Sequence, residues 1–132
     1  MDSLKQLFRE EEIQEIIKKE EKIVLHDKNK IREVIRVIAD QKCNHKELRN
    51  IIMTYPEVLL RDAEELKELI YNLKGYGVLN LNKTFDNYPY ILGKYPYEID
   101  SFIYQKQKEG TSEKEMIRIL EEEPYQIEMT SK

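Results

Sequence analysis

At 132 residues, with 36% charged and 40% hydrophobic side chains and no tryptophan, the chain is the length of one domain whose elements carry heavily solvated outer faces. That apolar content excludes a disordered polar tail, and no apolar run approaches the roughly 20 residues of a membrane span. The single cysteine, Cys43, excludes an internal disulfide and suits a reducing compartment, while a formal net charge of −4 excludes a polybasic protein.

In chain order, residues 3–21 read as one helix, with Ser3 as N-cap and Leu4, Leu7 and Phe8 extending an apolar stripe that runs on through Ile13, Ile16 and Ile17. Helices follow over 28–41 and 45–54, the second opened by an Asn44/Glu47 capping box. Pro56 has no amide hydrogen and disfavours a helical backbone at Tyr55, so that helix stops there. Asp62 with Glu65 opens a helix over 63–74, whose Leu66, Leu69, Ile70 and Leu73 share one face and whose end is marked by Gly75 as a left-handed residue. Further helices are predicted over 81–87, 97–109 and 113–122, with Pro96 in a first turn and Ser112/Glu115 as a third box. Glu121, Glu122 and Glu123 close the last helix, where negative charge opposes the macrodipole, and the chain beyond Met129 is predicted to be loose.

The chain superimposes on itself. Shifted 33 residues forward, Tyr55-Pro56 falls on Tyr88-Pro89, Val58-Leu59 on Ile91-Leu92, and Leu66, Leu69, Ile70 and Tyr71 on Ile99, Phe102, Ile103 and Tyr104. Shifted 35 back, Val58-Leu59-Leu60 falls on Ile23-Val24-Leu25, and Leu66, Leu69, Ile70 and Leu73 on Ile31, Val34, Ile35 and Ile38. The helix before each corner repeats as well: Leu48, Ile51 and Ile52 match Ile13, Ile16 and Ile17, then Leu81, Thr84 and Phe85, then Met116, Ile119 and Leu120, with Pro124 in the place of Pro56. Agreement at four registers identifies an all-α helical-repeat array.

Pro56, Leu59, Leu66 and Leu73 place apolar residues three, ten and seventeen positions after a proline. That pattern resembles the repeat of the mitochondrial transcription termination factor (mTERF) family. Pro89, Leu92 and Ile99 match it until Lys106, and Val24, Ile31 and Ile38 match it with Glu21 where the proline stands elsewhere. The resemblance implies two helices and a short 3₁₀ turn per repeat, about three and a half helix-turn-helix units curved into a solenoid over roughly residues 10–129. On this reading 1–132 is one domain: 1–21 is an N-terminal capping helix and first half-repeat, 22–55, 56–88 and 89–123 are repeats, and 124–132 is a C-terminal tail. The resemblance also implies nucleic-acid binding, in transcription or RNA-related regulation, and an organellar setting.

Charge is unevenly spread. Residues 22–56 carry a net +4, while 1–21, 57–89 and 90–132 carry −3, −2 and −3. Lys28, Lys30, Arg32, Arg36, Lys46 and Arg49 are the candidate phosphate contacts, with Lys42, His26 and His45 nearby. Such a run reads most simply as a solvated helix face, so the DNA or RNA reading rests on the family resemblance. Tyr55/Tyr88 and Tyr71/Tyr104 occupy equivalent repeat positions and are predicted to pack between repeats, whereas Tyr90, Tyr95 and Tyr97 stay open as stacking candidates.

Cys43, His45 and His26 fall short of a zinc ligand set, and no cofactor is implied. The carboxylates are consecutive residues on solvated helices, there is no phosphate-binding loop or nucleophile motif, and no small-molecule substrate is evident. Two non-enzymatic readings follow: a nucleic-acid-binding module using the basic face in 22–56, and, as the alternative, an acidic protein-interaction adaptor with a protein partner. The Glu-rich start has neither a signal-peptide core nor transit-peptide character, which predicts the cytoplasm, or an organellar matrix if the chain is a mature form.

Overall fold

The computed structural model of the chain describes the backbone over residues 2–129 and side chains over 4–129; the loose tail expected beyond Met129 lies outside the described residues. Every element in it is helical. The α-helices are α1 (Asp2–Lys5), α2 (Glu10–Lys19), α3 (Lys28–Ala39), α4 (His45–Thr54), α5 (Ala63–Gly75), α6 (Leu81–Asn87), α7 (Pro96–Lys108) and α8 (Glu113–Glu122). Four 3₁₀ turns separate them at Glu21–Leu25, Pro56–Leu60, Pro89–Gly93 and Pro124–Met129.

The corner is the repeating device. The residue before each turn has nearly the same backbone: Glu20 φ −143°, ψ 88°; Tyr55 −135°, 72°; Tyr88 −150°, 81°; Glu123 −134°, 48°. Each still donates its N–H to the carbonyl four residues back, from Ile16, Ile51, Thr84 and Ile119, so the helix ends only after that bond. Proline at the next position removes a donor that would have no partner there. Glu21 adopts the same corner without proline, so the register is set by the apolar pattern, and the helix does not run on through Glu21.

Two layers result. α4 packs on α6 and α6 on α8, while α3 packs on α5 and α5 on α7. The second turn wedges between them, against α3, α4 and the first turn. Leu59, Leu66, Leu69, Ile70, Leu73, Ile31, Ile99 and Phe102 are buried together, with Ile35 half-buried and Val37 buried in its stead. Val24 and Leu25, aligned with the buried Leu59 and with Leu60, are 56% and 90% exposed. The second turn is covered by α3 of the preceding repeat, whereas in that layer only the four-residue α1 precedes the first.

Several expectations are corrected. Residues 3–21 are two helices, because the Leu7 and Phe8 amides turn back onto the Leu4 carbonyl (3.0 and 2.8 Å) and the Glu12 carboxylate takes the Arg9 N–H at 2.9 Å. The break buries Leu4 and Phe8 and sets α1 against α3, and it leaves Ser3 inside α1 rather than at its cap. Gly75 remains helical, and the left-handed residue is Gly77 (φ 98°). Gly77 donates to Lys74 O and Val78 to Leu73 O, the paired bonds that close a helix end. Gly110 (φ 85°) does the same after α7, and Lys42 (φ 66°) holds the equivalent left-handed position after α3, which ends at Ala39 rather than 41. Of the three predicted boxes only Asn44/Glu47 is reciprocal; Asp62 and Ser112 cap from one side.

Candidate nucleic-acid interface

α3 is opened by Asp27, whose side chain accepts the Asn29 N–H at 2.8 Å, so Lys28 begins the helix. Ile31, Val34, Val37 and Ile38 bury one face, which forces the polar residues outward. Lys28, Arg32 and Arg36, spaced four apart, form a single exposed row. Lys30 is exposed too, but at about 100° per residue it lies on the other flank of α3. Lys46 is exposed in the first turn of α4, in the other layer. Among the described residues, none of these five side chains has a hydrogen-bond or ion-pair partner. Two exposed carboxylates, Glu33 on α3 and Asp40 at its C-cap, sit beside the row.

Arg49 is placed differently. Its guanidinium holds the Glu12 carboxylate at 3.0 and 2.6 Å, donates to Leu7 O at 2.7 Å, and lies 5.3 Å over the Phe8 ring. It clamps the N-terminal segment to α4. The repeat alignment shows why: one unit on, Glu47 accepts from Asn82 at 3.1 Å, and Glu12/Glu47 and Arg49/Asn82 are equivalent pairs. That equivalence is the signal in the sequence that assigns Arg49 to an inter-repeat contact.

The tyrosines separate into two groups. Tyr55 and Tyr88 are half-buried and pack with Tyr90 at ring distances of 5.2 and 5.7 Å, and Tyr88 donates to Glu128 at 2.6 Å. Tyr71 and Tyr104, predicted to pack between repeats, are instead 81% and 62% exposed. Both stand on the outer face of their helices at the position that Arg36 holds on α3. Tyr90, Tyr95 and Tyr97 are exposed, with Tyr95 stacked on Tyr97 at 6.2 Å and over the Arg61 guanidinium at 4.5 Å.

Burial pushes the half-buried Cys43 thiol up to about 12, with Glu47 and Asp86 adding to the effect, so it is held in the protonated form at neutral pH. No group of three or more metal-ligating side chains occurs among the described residues. No helix among them is long and apolar enough to cross a membrane.

The mTERF family model matches residues 3–80 of the 132, which is more than half of the chain. The chain belongs to the mTERF family. Searches of curated proteins and of solved structures found no match. The family match ends before the third and fourth corners, yet Tyr88-Pro89 and Glu123-Pro124 repeat the backbone of Tyr55-Pro56, so the mTERF geometry continues to the end of the described chain. The basic row lies on the first complete helix pair of this mTERF array, inside the matched region.

Proposed function

We propose that this mTERF-family protein is a non-enzymatic nucleic-acid-binding module that holds a phosphate backbone along the outer row of α3. The observation that carries the reading is the row itself: Lys28, Arg32 and Arg36 are exposed, aligned and without partners among the described residues. Lys30, on the other flank of α3, and Lys46, in the other layer, add positive charge away from the row, and Arg49 is left out because its donors are committed to Glu12 and Leu7. Contacts of this kind position a duplex or strand without reading bases, so binding is weakly sequence-specific. The repeat boundaries 22–55, 56–88 and 89–123 belong to the same proposal, as does a cytoplasmic or organellar-matrix location.

Fluorescence anisotropy with labelled duplex DNA, single-stranded DNA and RNA, at low and moderate salt, tests it. Binding is expected to fall steeply with salt, each phosphate contact contributing about one to the log–log slope. Arg32→Glu with Arg36→Glu is expected to abolish binding without unfolding, because both side chains are exposed. Absence of salt-sensitive binding to all three would overturn the reading in favour of the protein-interaction adaptor. That alternative is favoured by one observation, an acidic, tyrosine-lined groove on α5.

A further inference from the structure

A groove of about 720 Å³ runs along the exposed face of α5 to the start of α7, lined by Glu64, Lys67, Glu68, Tyr71, Tyr76 and Pro96 among others. Gly75 on its rim faces open space, whereas the equivalent positions on α3 and α7 are Asp40 and Lys108. Tyr71 stands over it with most of its ring in solvent, and Tyr76 and Pro96 supply further apolar wall.

The charge on this groove is net negative, with Glu64 and Glu68 against Lys67. Lys67 is its single lining cation and is already paired with Glu64 at 3.0 Å. Glu68 has no partner among the described residues. Asp100 stands on the α7 side, accepting from Asn72 at 3.0 Å and from the Tyr76 hydroxyl. Asn72 lines the groove, with its Oδ1 buried and lacking a hydrogen-bond partner. Glu64 chiefly stabilises the Lys67 ammonium form, and Glu33 and Asp40 on the α3 side add to it, extending the negative field towards the neighbouring helix. Phosphate is repelled from such a surface. A planar, donor-rich cation suits it: a guanidinium stacks on a tyrosine ring and binds a carboxylate edge-on.

We propose that this groove is the docking site for an arginine-bearing basic segment of a protein partner, with guanidinium groups stacked on Tyr71 and paired with Glu68. The volume takes a short extended segment rather than a single side chain. The site is separate from the α3 row and independent of the nucleic-acid reading. One array would then offer a basic helix face and an acidic groove to two partners of opposite charge.

The test uses the full chain and a fluorescein-labelled hexapeptide of alternating arginine and glycine, with the glutamate–glycine peptide and a labelled oligothymidylate as comparisons. The arginine peptide is expected to bind, and Glu68→Lys with Tyr71→Ala is expected to weaken it about tenfold. Glu113→Lys, on the exposed start of α8, is expected to leave binding nearly unchanged, and so is Arg32→Glu with Arg36→Glu. Amide chemical-shift changes on titrating the unmodified protein should centre on Tyr71, Gly75 and Tyr76, which keeps the test valid if a variant folds poorly. Four results would overturn the proposal: no binding of the arginine peptide, equal weakening by Glu68→Lys and Glu113→Lys, oligothymidylate binding that depends on Tyr71, or self-association that the groove variants abolish.

Discussion

The Glu121 carboxylate, near the end of α8, caps the start of α6: it accepts the Asn80 and Leu79 amide hydrogens at 3.0 Å each and the Asn80 side-chain amide at 3.2 Å. Asn80 stands at the N-cap of α6, but its own side chain makes no capping bond there. The cap is supplied by the following repeat. Glu121→Ala is therefore expected to cost about 1 kcal/mol, as for loss of a cap whose amides belong to exposed residues. The measurement is chemical denaturation followed by helical circular dichroism, and an unchanged midpoint would show that water replaces the carboxylate freely.

Acid should weaken the array at its inter-repeat carboxylates. Glu12 is held down from 4.5 to about 2, first by the Arg49 guanidinium and then by the Arg9 amide. At Glu121 burial opposes ionisation, but the Asn80 and Leu79 amides outweigh it and the net direction is also down. A group depressed in the folded state contributes stability that is complete above its unfolded value of 4.5 and is lost as pH falls towards the folded one. Stability is expected to be flat from neutrality to about pH 5 and to decline towards pH 2, with a shallower decline in Glu12→Gln. A flat profile across that window would contradict the assignment.

Thr84 is fully buried at a position that Ile16, Ile51 and Ile119 hold in the other repeats, and its hydroxyl has no partner among the described residues. Thr84→Val keeps the shape and removes the unsatisfied group. It is expected to stabilise the protein by about 1 kcal/mol, read as a raised denaturation midpoint. A destabilised variant would mean that the hydroxyl finds a partner in solution.

Lys42 occupies the left-handed position that Gly77 and Gly110 occupy after α5 and α7. A side chain costs about 1–2 kcal/mol in that conformation. Lys42→Gly is expected to stabilise by about 1 kcal/mol, while Gly77→Ala and Gly110→Ala are expected to destabilise. Matched thermal melts of the three variants decide it.

Gly93 is a contact glycine. A methyl group there would collide with the Tyr55 hydroxyl, although Leu60 stands at the equivalent position one repeat earlier. Gly93→Ala is expected to cost about 1–3 kcal/mol, and Tyr55→Phe should recover part of that loss in the double variant. Strict additivity would show that Tyr55 swings aside at no cost.

The amino-acid sequence by itself determined the corners, the helix spans and the buried stripe. Each depends on residues within one or two turns of each other: a proline or an apolar wedge, a side-chain cap, a period near 3.6. That is why α4, α6 and α8 fall at the predicted residues 45–54, 81–87 and 113–122, and why Glu21 could be aligned with three prolines. The exposed basic row of α3 was legible for the same reason, since burying Ile31, Val34 and Ile38 turns Lys28, Arg32 and Arg36 outward.

Only the tertiary structure decided which polar side chains the array uses internally. Arg49 reaches Glu12 across 37 residues and Glu121 reaches Asn80 across 41, so a charge that reads as a surface group became a clamp and one that opposed its own helix dipole became a cap. The break at residues 6–9, the outward turn of Tyr71 and Tyr104 and the groove beside Gly75 have the same origin. Each is fixed by which neighbouring helix covers a face, and periodicity within one helix carries no information about the surface of the next.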